Sequence, residues 1–279
     1  MDWYALKINI VFAIIILCFV PATAHSQLVQ KTYISPFQLG TGGITAIQDD
    51  QLSLSSNLSV AGVNAAQGAN ISVGVLNKQF LPELKTLYIG VYWPGKSAND
   101  HYRLSIGRFG FSAFNIKAFE FAYARKLNDF LCISANFGAS LLGIEQYGSK
   151  IGIGLSLGLS GQMNSQTSFG GLLLLPSKEN NEQDIYSHAE FTIALRRKLS
   201  YRVQLYSSIN KSYIHSLNFS SGVNYKIQKN LSLQCGFSTG TSSISFGIET
   251  RKKAYIIQLG WSFAFIAGNK LSIAVSHPL

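Results

Sequence analysis

The stretch that decides the fold is "IGIGLSLGLSG", residues 151–161. Ile151, Ile153, Leu155, Leu157 and Leu159 fall on one face of an extended chain, and Gly152, Gly154, Ser156, Gly158 and Ser160 on the other. A strict period of two is the pattern of a strand. Glycine weakens strand interiors, so the small face needs a reason, and room for a close neighbour is one. Gly152, Gly154 and Gly158 are expected to provide it, and Gly154→Leu to disturb whatever lies against them.

The same grammar runs from residue 70 to the end. In "LKTLYIGVYW" (84–93), Leu87, Ile89, Val91 and Trp93 oppose Tyr88, Gly90 and Tyr92. In "AYIIQLGWSFAF" (254–265), Tyr255, Ile257, Leu259, Trp261 and Phe263 oppose Gln258, Gly260, Ser262 and Ala264. Strands are expected over 70–77, 84–93, 102–110, 115–125, 130–139, 151–161, 166–175, 188–198, 201–209, 216–226, 230–239, 243–250, 254–265 and 270–276. That is about fourteen strands, each near the ~9–11 residues of a tilted membrane strand.

Composition separates a membrane barrel from a soluble sandwich, which also alternates. Of the 279 residues, 13% are charged and 47% hydrophobic, against about 25% charged in ordinary globular domains. Mean hydropathy is +0.18. Soluble strands put charge on their outward face, whereas here the second face is Gly, Ser, Ala, Asn and Gln. The faces make sense inverted, with aliphatics against lipid and small polar residues against a lumen. No stretch after the N-terminal one reaches the eighteen apolar residues of a spanning helix. The fold class is therefore all-β, a transmembrane antiparallel barrel in the outer membrane of a Gram-negative type of cell.

Three regions follow. Residues 1–26 carry Lys7, an apolar run from Ile8 to Val20, then Pro21 and the small residues "ATAHS", which is a signal-peptide pattern with cleavage after Ser26 or Ala24. Residues 27–69 are Gly-, Asp-, Asn- and Ser-rich and break the alternation. Residues 70–279 form the barrel. The net charge of +10 is concentrated in the tight turns 125–129, 196–202, 226–230 and 250–254. With the mature N-terminus in the periplasm, all four fall on the periplasmic side, and the longest gap, 176–187, falls outside. Such turns can meet a periplasmic partner or anionic lipid, or be simply solvated. Export and strand patterning argue against nucleic acid.

Candidate chemistry is sparse. Arg103, Glu120, Glu190, Arg202 and Glu249 fall on the small face, where charges normally pair with each other or with an inserted segment. His188 and Glu190 would both face the lumen, yet no Gly-x-Ser-x-Gly elbow accompanies them, so no enzyme is expected and no catalytic residue assigned. The histidines do not cluster, so no metal is expected, nor any cofactor. Cys132 and Cys235 point to opposite faces, which argues against a disulfide.

"LGTGGITAIQDDQLSLSSNLSVAGV" (39–63) resembles the opening of FadL-like and PorV/PorQ-like outer-membrane proteins, with Gly42, Gly43, Asp49, Asp50 and Asn57 matching. Asn57 is followed by Leu58 and Ser59 rather than the Pro-Ala of that group. "YRLSIGRFGFSAFNIKAFEFAYARKLNDFLCISANF" (102–137) resembles its middle. The resemblance implies that the N-terminal segment folds into the lumen as a plug. It also implies one of two roles: first a type IX secretion accessory that handles exported cargo, and as the alternative a FadL-like transporter of hydrophobic small molecules. An outer-membrane enzyme comes last. The expected partners are outer-membrane lipids, secretion-system proteins or cargo, and a hydrophobic ligand. A transporter predicts an apolar pocket between plug and wall. Asp49 or Asp50 is expected to meet a lumenal arginine or to cap a turn.

Overall fold

A computed structural model describes residues 34–47, 57–63, 68–78, 81–175, 189–212, 216–264 and 268–279. Two short helices, α1 (Pro36–Gly40) and α2 (Ser59–Val63), precede fourteen strands. These are β1 (Asn70–Lys78), β2 (Leu81–Pro94), β3 (Asp100–Gly110), β4 (Phe114–Asn128), β5 (Leu131–Ile144), β6 (Gly148–Gln162) and β7 (Thr167–Leu175). The second half comprises β8 (Glu190–Lys198), β9 (Val203–Ser212), β10 (Asn218–Gln228), β11 (Leu231–Ser238), β12 (Ser243–Lys252), β13 (Tyr255–Ala264) and β14 (Lys270–Pro278). Each strand pairs antiparallel with its sequence neighbours, and β1 pairs with β14 to close the barrel. Closure removes the unpaired edges that an open sheet would present.

Every expected strand is present, with ends moved by a few residues. The alternation sets which side faces in. Along β6, Ile151, Ile153, Leu155 and Leu157 are exposed on the outer wall, while Gly154, Ser156, Gly158 and Ser160 are buried inside. Ile106, Ile133, Phe137, Ile193, Phe246 and Ile273 are likewise outward and exposed. An apolar face on this scale calls for a non-aqueous surrounding. The inner face is a field of buried serines with Asn136, Asn224, Gln234 and Gln258 among them. Asn136 donates to Ser156 Oγ at 3.0 Å, and Gln234 donates to Asn224 Oδ1 at 3.1 Å. Such cross-strand bonds satisfy polar groups that the barrel removes from bulk water.

Connections after even-numbered strands gather at one end of the barrel, together with Asn70 and Pro278. The basic turns after β4, β8, β10 and β12 all lie there. The longest connection, residues 176–189, joins β7 to β8 at the opposite end. The β3–β4 turn at that opposite end is tight: Gly110 adopts φ 95°, where an added side chain would strike the Phe114 carbonyl, and Phe111 N donates to Phe114 O at 2.8 Å.

Candidate lumenal site

The described parts of the N-terminal segment lie against the inner wall. Helix α1 is built locally: Ser35 caps it, accepting from Gln38 N at 3.2 Å, while Gln38 Oε1 accepts from Ser35 N at 3.1 Å. Pro36 at the first turn suits this box, since its missing N–H would have no helical partner. Gly42 and Gly43 end the helix with φ of 84° and 83°, and Gly43 N donates to Gln38 O at 2.7 Å. A left-handed pair of this kind is a glycine position, which gives these two motif residues a physical role.

Helix α1 rests on glycines. Gly247 and Gly260 are directly opposed on β12 and β13, and Gly222 and Gly236 on β10 and β11. A methyl group on Gly260 would strike Pro36, one on Gly247 would crowd Gly40, and one on Gly222 or Gly236 would strike Thr41. Wall hydroxyls then reach the segment's carbonyls: Ser272 Oγ donates to Ile34 O at 3.2 Å. Further along, Gly170 on β7 faces the Ala46 carbonyl, and Gly158 on β6 faces Asn57. Gly62 in α2 packs on Cys132 of β5 and His101 of β3.

Asn57 is the knot of this arrangement. Its Nδ2 lies 3.1 Å from Ala46 O, 2.8 Å from Leu159 O and 3.0 Å from Gly171 O. Its Oδ1 accepts from Ser59 N at 3.2 Å, Ser59 Oγ at 2.6 Å and Ser134 Oγ at 3.1 Å. One buried amide thus joins the two described stretches to each other and to β5, β6 and β7. Among the described residues, the opening strand meets the segment at Gly158. Gly152 meets only Ser140 Oγ, and Gly154 stands opposite Gly138.

The charged residues divide. Arg103 and Glu120, on β3 and β4, form a buried ion pair at 2.7 Å. Glu190 is buried on β8 and accepts from Asn210, which also donates to Thr192 at 2.6 Å. Glu249 accepts from Gln258 at 2.9 Å and from Arg251 at 3.0 Å. Arg202 corrects the expectation. It lies exposed in the β8–β9 turn, its guanidinium 5.1 Å from the ring centre of Tyr201. A hydrogen bond with Tyr225 pushes its pKa above the ordinary arginine value. The strand begins only at Val203, so the alternation does not extend back to Arg202. His188, Asp49 and Asp50 fall outside the described residues.

Three lumenal groups escaped the sequence reading. Arg196 is buried on β8, donating to Ser168 Oγ at 2.9 Å. Lys270 opens β14 and reaches the lumen. His101 is buried, with Nδ1 2.8 Å from Tyr92 Oη. Parity carried the signal for the first, because Arg196 shares a face with Glu190, Thr192 and Ala194. Cys132 is buried inside and Cys235 exposed outside, both free.

Among the described residues, cavities lie on both sides of residues 34–45. One of about 300 Å³ lies toward the end with the long β7–β8 connection, between Ile34, Leu39 and Thr45 and the wall. Leu172 and Leu174 give it an apolar side, while Glu120, Glu190, Lys270 and many Ser, Thr and Asn side chains complete it. The other, about 140 Å³, opens toward the basic end and is lined by Phe37, Tyr206, Glu249 and Gln258 among others. Both have mixed linings, which departs from the apolar pocket expected between plug and wall of a transporter.

No family model and no curated protein matches the chain. Solved structures do. The toluene transporter TodX of Pseudomonas putida aligns at TM-score 0.67 and 12% identity, over 87% of this chain and 97% of that one. The fold is FadL-like. The toluene transporter TbuX of Ralstonia pickettii aligns at 0.65 and 12%, over 88% and 98%. A Pseudomonas aeruginosa FadL homologue aligns at 0.57 and 10%, over 88% and 98%. These neighbours agree with the FadL half of the resemblance. The type IX secretion reading gains no support from them.

Proposed function

We propose that this protein is an outer-membrane channel for small amphipathic molecules, made as a precursor with residues 1–26 as signal peptide and not an enzyme. Its N-terminal segment, within 27–69, acts as a lumenal plug. The single observation that supports the reading is that residues 34–45 line two cavities inside a closed barrel of FadL-like fold. Named transporters share this fold, and the exposed aliphatic outer wall supports a lipid setting.

The lining supports the substrate class. A cavity of about 300 Å³ sits at the lower end of small-molecule pockets, about 300–1,000 Å³. Leu172, Leu174, Ile34 and Leu39 suit an apolar body. The surrounding hydroxyls and amides suit a polar group, which would leave them unpaired if a hydrocarbon took its place. A molecule such as benzyl alcohol satisfies both sides, and toluene only one.

Uptake tests this. In a host without channels of this kind, expression should raise the initial uptake rate of radiolabelled benzyl alcohol, and raise it more than that of toluene. Leu172→Trp, which fills the cavity, should return uptake toward the vector level. No gain for either compound over empty vector rejects the channel, and a gain for toluene alone rejects the amphipathic preference.

A further inference from the structure

Outward-facing side chains on β2, β3 and β4 form a layered band. Trp93, Tyr102 and Tyr123 are successive cross-strand partners, with ring centres 5.7 and 5.3 Å apart. They make an aromatic row toward the basic end. Leu87, Ile89, Leu104, Ile106, Phe119 and Phe121 follow. The band then stops at cations: Arg108 is paired with Leu87 on one side and with Lys117 on the other, and Lys85 stands diagonal to Arg108 beside Gly110.

The apolar part is short. Six residues separate Trp93 from Leu87, about 20 Å along a strand and about 15 Å of height at ordinary barrel tilt. An outer-membrane barrel shows about 25 Å of apolar wall. On the next two strands the paired residues are apolar: Lys117 faces Leu141, and Leu141 faces Ile151, which is 67% exposed.

Like charges directly opposed across strands repel. None of Lys85, Arg108 and Lys117 has an ion pair among the described residues, and all three are exposed. A surface depression of about 450 Å³ is lined by Lys85 and Arg108 together with Leu87, Gly110 and Phe111. Glu83 lines it as well, without pairing with any of the three. The cluster keeps a net charge of +2 after Glu83 is subtracted from the three cations.

We infer that Lys85, Arg108 and Lys117 form an outward-facing site for the phosphate groups of a phosphorylated, acylated glycolipid, the lipopolysaccharide of the outer leaflet. The cluster lies at the end that carries the long β7–β8 connection, which in outer-membrane barrels is the external one. The guanidinium can grip a phosphate through two parallel bonds, and the lysines add point charge. Acyl chains have a wall to lie on below, since Leu87, Ile89 and Ile106 are 53%, 51% and 59% exposed. The site rests on the outer-membrane placement and is independent of what crosses the lumen.

Native mass spectrometry of the full barrel in mild detergent, titrated with lipopolysaccharide, tests it. The wild type should hold a lipopolysaccharide molecule, with phosphatidylglycerol or phosphatase-treated lipopolysaccharide held at least roughly tenfold more weakly. Lys85→Gln/Arg108→Gln/Lys117→Gln should lose retention by a similar factor. Removing three cations at the other end, Arg197→Gln/Lys229→Gln/Lys252→Gln, should not. Heat-modifiable migration on gels reports that each variant is a barrel, and Arg108→Gln alone serves if the triple variant does not fold. Equal retention by the variant, equal binding of phosphatidylglycerol, or equal loss in the control set each overturns the site. Fractionation of the protein away from the outer membrane would overturn the placement instead, a separate result from failure to bind.

Discussion

At the residue scale, one asparagine decides whether the N-terminal segment stays on the wall. Asn57 is 2% exposed and engages acceptors on its own segment and on two strands. Removing its amide takes a partner from Ala46 O, Ser59 N and the Ser59 and Ser134 hydroxyls, at about 1–3 kcal/mol for each buried group left unsatisfied, while Leu159 and Gly171 still face each other in the β6–β7 ladder. The barrel's own ladders do not use Asn57. Asn57→Ala should therefore loosen the segment and spare the sheet. Hydrogen exchange read by mass spectrometry should speed up over 57–63 and stay unchanged in β10–β13. Unchanged exchange over 57–63 would show that the amide is not what holds it. The motif resemblance marked Asn57, yet its partners on β6 and β7 could not be read from it, because they are backbone carbonyls more than a hundred positions away. Gly158, opposite it, was legible as empty space but not as space for this residue. Arg202 was misread because one residue of strand length decides whether a side chain points inward.

At the element scale, alternation carried nearly all of the barrel. Each strand is long, uninterrupted and two-faced, so periodicity alone locates it. The helices α1 and α2 were not legible. Five residues give too little periodicity to read, and such helices are stabilised by the surface beneath them rather than by propensity. That surface is the opposed glycine pairs Gly222–Gly236 and Gly247–Gly260. In a free sheet a valine would suit each of these positions better. Here its methyl groups would occupy the place of Pro36–Thr41. Gly236→Val should leave a folded, heat-modifiable barrel whose α1 is displaced. Single-channel conductance in planar bilayers should rise above the wild-type level as the lumen opens. A folded variant with unaltered conductance would mean that α1 does not limit the pore.

At the scale of the whole molecule, charge and connection length point the same way. Arg125, Arg197, Arg202, Lys229, Lys252 and Lys253 crown the end that holds Asn70 and Pro278, where the turns are short. The opposite end carries the β7–β8 connection and the larger cavity. Outer-membrane barrels keep short turns in the periplasm and long loops outside, so the basic crown should face the periplasm. Cysteine labelling can decide. Cys132 is buried on the inner wall and Cys235 faces outward among apolar residues, while Cys18 lies within the proposed signal peptide, so Cys132→Ser/Cys235→Ser gives a silent background in the mature chain. Within it, Gln146→Cys, in the β5–β6 turn, should react with a membrane-impermeant maleimide on intact cells. Lys229→Cys, in the β10–β11 turn, should react only after the outer membrane is permeabilised. The reverse pattern would turn the barrel over. The 300 Å³ cavity would then open to the periplasm, and Lys85, Arg108 and Lys117 would face the inner leaflet, where no lipopolysaccharide could reach them.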